Sequence, residues 1–370
     1  MRIGVLTSSR ADFGIYLPLV RKLFEDDFFQ AEIIAFGTHL SKMFGKTIHE
    51  IENEGFTVKY KLQTVPDNDT PLSMALSISK TASVFAEFWN NNNFDLVFAL
   101  GDRFEMFAAV VAGSPFNVKF AHIHAGETTL GAIDNAYRHS ISLMSKWLFV
   151  STEEYKKRAI EIIHHSEDVF NVGALSIDNL MEEKLYSIPD LKEKFGIDLS
   201  IPTILTTFHP ETVGFEKNEL YINELLLALK ELIKKYQIVI TMPNSDTEGL
   251  IIREKIEEFG NNHERVHLVE SFGMRGYLSC MKHCKMLIGN TSSGFVEAAF
   301  FPKWVINLGS RQKGRIITNN ILNSVIENKE ILNSVFKLNE LDLPTNCNIY
   351  GDGRAANNII IKIKEFHGLE

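Results

Sequence analysis

Short apolar runs, each followed by a segment with helical periodicity, recur from one end of the chain to the other. The run at residues 95–100, Asp-Leu-Val-Phe-Ala-Leu, does not alternate between apolar and polar positions. This is typical of a strand that helices cover on both faces, and it indicates a parallel sheet. The pattern predicts strands at residues 3–7, 32–36, 95–100, 119–123, 148–151 and 169–172. After residue 190 it begins again, with strands predicted at residues 203–207, 237–241, 266–269, 286–288 and 305–308.

The two strand–helix series predict an α/β protein with two doubly wound domains, since 370 residues exceed what one core usually supports. Amphipathic helices are predicted at residues 218–235 and 248–259, and a last helix at residues 353–370. Ile188-Pro189-Asp190 interrupts a polar helical stretch, so we place the join there, between domains 1–187 and 188–352. Ligands of such sheets bind at the carboxyl ends of strands, and residues after each strand therefore carry the functional signal.

Composition and charge limit the partners and the cellular compartment that we expect for this protein. The net charge of −9 disfavours nucleic acid as a partner. The apolar stretch after Met1 is too short for a signal-peptide core, and no window approaches 18 consecutive apolar residues, so we expect no membrane span. Three cysteines, an odd and sparse set, indicate reduced thiols rather than a disulfide framework. We therefore expect a cytoplasmic protein.

Polar motifs follow the predicted strands at residues 3–7 and 95–100. The first is Thr7-Ser8-Ser9-Arg10-Ala11-Asp12, in which small residues allow close backbone approach and Arg10 offers a fork of donors to phosphate. Asp12 could instead be only a helix cap. The second motif, Gly101-Asp102-Arg103, puts Asp102 where active-site groups of this class lie, with a capping role as the alternative.

A third motif, His122-Ile123-His124-Ala125-Gly126-Glu127, follows the strand at residues 119–123. Its two histidines would share one face of a strand and could ligate a metal, but no tetrahedral set follows, and hydrogen bonding near a site is the alternative. Glu127 and Asp134 add two carboxylates near Asp102. Converging like charges raise a pKa, which suits acid–base chemistry, unless one of the three side chains points to solvent.

The second half carries candidates for phosphate binding. His209 follows the strand at residues 203–207 and could be a general acid or a phosphate donor. The hydroxyl-rich turn at residues 291–294 is predicted to lead into a helix whose N-terminus binds phosphate. Glu297 in that helix could accept both ribose hydroxyls, or be only favourably placed near the dipole. Arg311 is a further phosphate partner, in a segment that is no P-loop because Arg315 replaces the required lysine.

Two signals of bound cofactors are weak or missing. The sequence has no Gly-x-Gly-x-x-Gly, which disfavours bound NAD, and we expect no cofactor. Cys280, His283 and Cys284 share a predicted helix, but without a fourth ligand they are interpreted as core and surface residues. No resident metal is expected either.

Together these motifs resemble the hydrolysing UDP-N-acetylglucosamine 2-epimerases, which include bacterial enzymes of sialic acid synthesis. The resemblance runs in order from residue 1 to about residue 355. It is carried by Ser9-Arg10-Ala11-Asp12, Gly101-Asp102-Arg103, His122 to Glu127, Arg138-His139, Phe208-His209-Pro210, Pro243-Asn244, Ser292-Ser293-Gly294 and Arg311-Gln312-Lys313-Gly314-Arg315. Family members often have Gly at Ala125 and Ser at Thr291, and Gly-Ala-Pro where Gly173-Ala174-Leu175 stands.

The resemblance implies a GT-B-like fold, in which two Rossmann-like domains with parallel sheets flank a central cleft. It implies conversion of UDP-N-acetylglucosamine and water to N-acetylmannosamine and UDP, through a 2-acetamidoglucal-like intermediate, by a homodimer or homotetramer. By position, the catalytic residues are Asp102, Glu127 and Asp134, with His209 nearby. The implied UDP contacts are Arg10, Asn244, Thr291, Ser292, Ser293, Glu297 and Arg311.

Several functions stay open at this point. A GT-B glycosyltransferase would need an acceptor and no cluster of three carboxylates. A metal-dependent hydrolase built on His122 and His124 would be inactivated by chelators, and a nucleotide-sugar sensor would bind UDP without turnover. Within the family, the substrate could be a UDP-2,4-diacetamido-trideoxyhexose of the legionaminic acid route.

Overall fold

The computed structural model describes residues 1–41, 46–64, 68, 70–243, 249–345 and 347–368. The chain divides into two compact units. Unit 1 comprises Met1–Glu127, Asp134–Glu182 and Ile349–Glu370, and unit 2 comprises Thr128–Ile133 and Glu183–Asn348. The C-terminal residues thus count with unit 1, whereas the sequence-based division treated residues 353–370 as a separate helix.

The strands predicted from the sequence are present, with small shifts at their ends. In chain order the strands are β1 (Arg2–Thr7), β2 (Gln30–Ala35), β3 (Val58–Lys61), β4 (Leu96–Leu100), β5 (Phe120–Ile123), β6 (Trp147–Val150), β7 (Val169–Asn171), β8 (Thr203–Thr207), β9 (Gln237–Thr241), β10 (Val266–Val269), β11 (Met286–Gly289), β12 (Trp304–Leu308) and β13 (Ile321–Ser324).

The helices alternate with these strands. They are α1 (Arg10–Glu25), α2 (Ile48–Asn53), α3 (Pro71–Asn91), α4 (Phe104–Gly113), α5 (Asp134–Leu143), α6 (Glu153–Ile163), α7 (Leu175–Glu182), α8 (Ile188–Phe195), α9 (Asn218–Leu232), α10 (Gly249–Asn261), α11 (Gly273–His283), α12 (Glu297–Phe300), α13 (Asn328–Asn339) and α14 (Ala355–His367). Within the described ranges, no helix is long and apolar enough to cross a bilayer.

Each unit is built on one parallel sheet. In unit 1 the described strands run in the order β3-β2-β1-β4-β5-β6-β7, and in unit 2 in the order β10-β9-β8-β11-β12-β13. The order in unit 2 is that of Rossmann-like folds, and unit 1 extends the same arrangement by one strand. The predicted pair of doubly wound α/β domains is confirmed.

Two further strands, β3 and β13, were not predicted from the sequence, and each lies at an edge of its sheet. An edge strand has one neighbour, so its residues need not be continuously apolar. Val58–Lys61 shows this, since it contains two lysines and only Val58 is fully buried. The central strand β4 is buried at every position, which is why its apolar run was readable.

One helix start was misinterpreted. The sequence pattern predicts that Ile188-Pro189-Asp190 interrupts a helix, but α8 begins at Ile188. Ser187 and Asp190 form a capping box, in which each side chain bonds the backbone N–H of the other. Proline is accepted in a first turn because the N–H that it lacks would have no partner there. The residues therefore mark a beginning, not an interruption.

The core of unit 1 is rich in aromatic rings under α3 and α4. Trp89 packs edge-on against Phe120 with ring centroids 5.8 Å apart, and its Nε1 donates to the Ala109 carbonyl at 3.0 Å. Burying both the ring and its satisfied N–H stabilises the packing of α3 on β5. In unit 2 the equivalent layer is aliphatic, with Ile204, Ile238 and Ile288 fully buried.

The C-terminal helix is fixed to unit 1 by a buried carboxylate. Asp178 on α7 is fully buried and accepts the backbone N–H groups of Ala355 and Ala356 at 2.9 and 2.7 Å. These are donors of the first turn of α14, which have no partner within their own helix. Asp178 thus caps a helix that follows it by more than 170 positions.

We expect Asp178→Ala to lower the free energy of unfolding, because two buried N–H groups lose their acceptor at about 1–3 kcal/mol each. Urea unfolding followed by circular dichroism would measure the loss. The control is Asp352→Ala, which removes an exposed carboxylate paired with Arg354 and should change little. Equal stability of the two variants would contradict the capping role of Asp178.

Candidate active site

The candidate residues of each unit cluster where its strand order reverses. The reversal lies between β1 and β4 in unit 1 and between β8 and β11 in unit 2. Loops after such neighbouring strands diverge and leave a crevice for ligands. Arg10 and Asp102 follow β1 and β4, while His209 and Thr291 follow β8 and β11. The sequence placed these residues at strand ends, and the structure adds that the strands are the central ones.

The turn after β1 is organised by Asp12. Ser9 caps α1, and Asp12 accepts bonds from the Thr7 hydroxyl at 2.6 Å and the Ser8 backbone N–H at 2.8 Å. Burial alone would raise the pKa of Asp12, but bonds from His39, Thr7 and Ser8 outweigh it and lower the pKa. Ser9 is therefore the N-cap residue of α1, and Asp12 is not the N-cap but the third helical residue of a capping box. Arg10 is the first residue of α1, and its contact with UDP stays a prediction.

The centre of the unit 1 site is the guanidinium group of Arg138 on α5, which is only 3% exposed. Its Nη2 pairs with Asp102 Oδ2, and its Nη1 donates to the His124 carbonyl at 2.8 Å and lies 3.7 Å from Glu127 Oε2. Asp102 follows β4, and His124 and Glu127 follow the adjacent strand β5. One buried cation thus links two candidate carboxylates across two strand ends.

This arrangement corrects two expectations about the carboxylates. Asp102 does not cap the next helix, because Arg103 occupies the cap position of α4 and makes no side-chain cap bond. Asp102 and Glu127 were expected to perturb each other by repulsion, yet Arg138 pairs with both and compensates their charges. The two carboxylates therefore belong to an ion-pair network with Arg138 and do not face each other as uncompensated negative charges.

The third carboxylate, Asp134, is the first residue of α5, one helical turn before Arg138. Burial raises the pKa of the neighbouring Tyr137, and the charges of Asp134 and Glu105 raise it further. Asp134 thus lies on the same helix as Arg138, and its charge acts on Tyr137 of that helix.

The two histidines of the third motif have different environments. Both ring nitrogens of His122 are bonded, Nε2 to the Gly101 carbonyl at 2.8 Å and Nδ1 with the Ser142 hydroxyl at 2.9 Å. Burial lowers the pKa of His122 to about 3, so the ring is neutral. His124 lies beyond the end of β5 in a left-handed conformation, with φ of 65°.

The expected shared face of His122 and His124 is therefore wrong, because the alternation of a strand ends at Ile123. Neither ring nitrogen of His122 is left for a metal. Among the residues described, no group of three or more His, Cys, Asp or Glu side chains is arranged to hold a metal ion.

In unit 2, Asn290 joins the loops after β8 and β11. Its Oδ1 accepts the His209 backbone N–H at 2.7 Å, and its Nδ2 donates to the His209 carbonyl at 2.8 Å. The Asn290 carbonyl in turn accepts Gln312 Nε2 at 2.8 Å. This amide fixes the backbone that carries His209 relative to the segment that carries Arg311.

Glu211 fixes the same segment from the other side. It is buried, and its Oε1 accepts the backbone N–H groups of Ser310 and Arg311 at 3.3 and 3.2 Å. Burial raises the pKa of Glu211, an effect that these bonds oppose. The backbone of Arg311 is thus held by a carboxylate, and its guanidinium is mostly buried as well.

The turn after β11 differs from its prediction. Instead of leading into a regular helix, Ser292–Gly294 forms a short 3₁₀ turn, and α12 has only the four residues Glu297–Phe300. Phe301 precedes Pro302, and a residue before proline disfavours the helical conformation, so the helix ends there. A phosphate site would rest on the hydroxyl and N–H groups of the turn itself, not on a helix dipole.

Ser293 is one of the predicted UDP contacts, and its contact with UDP stays a prediction. The Ser293 hydroxyl lies 2.6 Å from the Tyr277 hydroxyl on α11 and 3.2 Å from Thr291 Oγ1. Burial raises the pKa of Tyr277 to about 12, so this phenol stays neutral. Asn244 lies outside the described residues.

Residues Thr128–Ile133, which connect Glu127 to Asp134 in the sequence, are part of unit 2. Leu130 N–H donates to the Lys313 carbonyl at 2.8 Å, and Ile133 N–H donates to Thr212 Oγ1 at 2.9 Å. A Cβ at Gly131 would lie 2.0 Å from the Ser310 carbonyl oxygen, so only glycine fits there. This segment therefore packs on the backbone that precedes Arg311.

Sequence reasoning assigned no role to four residues that organise the site: Arg138, Glu211, Tyr277 and Asn290. Asn290 and Glu211 come just after strands, the signal that selected their neighbours. Arg138 pairs with a residue 36 positions away, and Tyr277 lies on a helix, so local patterns indicate neither role.

Comparison with known proteins places this chain among nucleotide-sugar enzymes. The family model for UDP-N-acetylglucosamine 2-epimerase matches residues 21–364. The GDP/UDP-N,N'-diacetylbacillosamine 2-epimerase (hydrolyzing) of Campylobacter jejuni is 36% identical over 326 residues, which cover 88% of this chain and 84% of that protein. Polysialic acid biosynthesis protein P7 of Escherichia coli is 35% identical over 335 residues, covering 90% and 85%.

Among solved structures, UDP-GlcNAc 2-epimerase from Neisseria meningitidis bound to UDP-GlcNAc is similar over 99% of this chain and 100% of that one. The TM-score is 0.84 at 19% sequence identity, so the similarity shows the fold. Two parallel-sheet α/β domains with polar residues at the switch points define a GT-B-like protein. The chain belongs to the UDP-N-acetylglucosamine 2-epimerase family, as its sequence motifs predicted.

The neutral state of His122 makes stability depend on pH. Its pKa is about 3 in the folded protein against 6.5 in the unfolded chain, so the unfolded chain binds more protons between these values. The stability that His122 contributes is therefore present above about pH 6.5 and is lost as the pH falls toward 3. We expect His122→Gln to flatten the dependence of the unfolding free energy on pH in this range.

Urea unfolding at a series of pH values would measure the slope. His165→Gln is the control, because the side chain of His165 is 45% exposed and its replacement should leave the slope unchanged. A slope for His122→Gln equal to that of the unmodified protein would show that His122 is not held neutral by burial.

Proposed function

We propose that this chain is a hydrolysing 2-epimerase that converts UDP-N-acetylglucosamine and water to N-acetylmannosamine and UDP. The observation that carries the proposal is the Arg138-centred cluster, which holds Asp102 and Glu127 at the ends of adjacent central strands. Membership of the epimerase family supports the reaction type.

The chemistry requires acid–base groups and stabilisation of a leaving diphosphate. The C2 proton of the sugar is not acidic by itself, but loss of UDP from C1 makes its removal feasible and gives a 2-acetamidoglucal. Water then adds at C1 while C2 is protonated on the other face. We assign the proton transfers to the unit 1 cluster around Asp102, Glu127 and Asp134, with His209 of unit 2 as a further acid.

For the leaving group we assign the polar residues of both switch points. Arg311 offers a guanidinium on a backbone fixed by Glu211, and the turn at residues 291–294 offers hydroxyl and N–H groups. Arg10, Asn244, Thr291, Ser292 and Ser293 are the other proposed contacts, and Glu297 is proposed to accept the ribose hydroxyls.

A second candidate substrate is UDP-N,N'-diacetylbacillosamine. The activity for which the 36% identical Campylobacter jejuni protein is named supports it, whereas the family model and the ligand bound to the Neisseria meningitidis structure support UDP-N-acetylglucosamine. Both sugars carry the 2-acetamido group that the mechanism needs. Incubation with each UDP-sugar, followed by identification of the released hexose, decides between them.

The elimination mechanism predicts where solvent atoms enter the product. In heavy water the released sugar should carry deuterium at C2, because the proton removed exchanges with solvent before another is returned. In water labelled with oxygen-18 the label should appear at C1 of the sugar and not in UDP, because the C1–O bond breaks. Mass spectrometry of both products measures this.

Alternative reactions give other patterns. Transient oxidation would leave the C1–O bond intact, and a glycosyltransferase would release no free 2-epimer without an acceptor. Product without deuterium at C2, or solvent oxygen in UDP, would contradict elimination.

The assignment of Arg311 predicts a large effect on UDP affinity. A charge-assisted contact to phosphate is worth about 1.5–3 kcal/mol, so Arg311→Ala should weaken UDP binding by roughly 10- to 150-fold. Lys313→Ala is the control, since it removes an exposed cation of the same segment and should have little effect. Unchanged affinity of Arg311→Ala in calorimetry would remove Arg311 from the binding site.

A further inference from the structure

His124 combines a strained backbone with a fixed position. Its φ of 65° is uncommon for a residue other than glycine, and such residues concentrate at functional sites. Its N–H donates to the Phe149 carbonyl at 3.0 Å, and its carbonyl accepts Arg138 Nη1 at 2.8 Å. The surrounding structure therefore holds this conformation from two neighbouring elements, β6 and α5.

The imidazole of His124 is held on one side only. Its Nδ1 lies 3.1 Å from Glu127 Oε1, and Glu127 is nearly inaccessible to solvent. Nε2 is buried and has no hydrogen-bond partner in the described part of the chain. His122, two positions earlier, has both nitrogens bonded, so the unsatisfied nitrogen is a property of His124 alone in this pair.

Glu127 fixes the tautomer of His124. A carboxylate accepts the Nδ1–H, which leaves the lone pair on Nε2. In the described part of the chain, the charged and titratable groups near His124 include Glu127 on its own turn, Arg138 on α5, Asp102, which pairs with Arg138, and His122 on β5.

Glu127 itself is poorly placed to receive a proton from a substrate. Its carboxylate already contacts His124 Nδ1, the Ser151 hydroxyl at 3.4 Å and Arg138 at 3.7 Å. A general base must come within hydrogen-bond reach of the proton that it takes. In other histidine–carboxylate pairs the carboxylate orients one ring nitrogen and the other nitrogen takes part in the chemistry.

We propose that His124 is the base that removes the C2 proton, and that Glu127 is a positioning residue that acts through it. The inference rests on the function proposed above and reassigns one role within its cluster. The C2–H bond breaks and the proton goes to Nε2, while its electron pair forms the C1=C2 double bond. The electron pair of the C1–O bond leaves with UDP, so the step needs no oxidant or co-reactant.

The main variant is His124→Asn, whose amide can still donate to Glu127 but places nothing at Nε2. We expect kcat to fall about 10²–10⁴-fold, the range for loss of a general base. KM and UDP affinity should change little. With substrate deuterated at C2, the isotope effect on kcat should rise, because proton removal becomes rate-limiting. Hydration of added 2-acetamidoglucal in the presence of UDP should continue.

A matched control is available on α2. His49 Nδ1 lies 3.2 Å from Glu52 Oε2 with the same spacing of three residues, but the ring is 65% exposed. His49→Asn should leave kcat and the isotope effect unchanged. Unmodified protein that releases no UDP from either candidate sugar would refute the proposed function. Active unmodified protein with a His124→Asn variant of nearly equal kcat and isotope effect would refute only the role of His124.

Glu127→Gln tests the positioning role independently of how His124→Asn folds. The amide oxygen can still accept Nδ1–H without the charge, so kcat should fall less than in His124→Asn and the isotope effect should still rise. Because Glu127 acts through His124, the double variant should be no slower than His124→Asn alone. Additive losses, or a Glu127→Gln isotope effect equal to that of the unmodified protein, would overturn the positioning role.

Discussion

The geometry of the unit 1 site depends on the burial of one guanidinium group. Arg138 is almost inaccessible to solvent, and an uncompensated buried cation is strongly unfavourable. Asp102 and Glu127 supply the charge, and the His124 carbonyl supplies a further acceptor. Because these partners stand at the ends of β4 and β5, the requirement to compensate Arg138 also fixes the carboxylates relative to α5. The same contacts that allow Arg138 to be buried therefore also set the geometry of the site.

In unit 2, hydrogen bonds from side chains to the backbone fix the loops that carry the candidate residues. Asn290 bonds the N–H and carbonyl of His209, and Glu211 accepts the N–H groups of Ser310 and Arg311. These bonds act on the backbone of His209 and Arg311. The difference is consistent with the proposed roles, in which unit 1 transfers protons and unit 2 binds the diphosphate, since anion binding requires a cation in a fixed position.

Prediction from the sequence worked best where the local pattern of residues determines the structure. Central strands such as β4 are apolar throughout, and polar residues directly after them marked Asp102, His209 and Arg10. It was least informative where two distant segments decide together. The edge strand β3, the pairing of Arg138 with Asp102 and the capping of α14 by Asp178 each depend on partners far along the chain. Pro189 shows a third case, since the same residue can end a helix or begin one.

The two histidines at the end of β5 show how much one backbone angle can decide. His122 belongs to an extended strand, and its ring is fully bonded inside the unit, which keeps it neutral and structural. His124 follows one residue beyond the strand with positive φ, which directs the chain into the turn that carries Glu127. The strand period that treats positions two apart as equivalent holds only while the backbone is extended. Residue type and spacing therefore do not distinguish the structural His122 from His124, which we propose as the base, whereas the conformation of the turn and the partners of each nitrogen do.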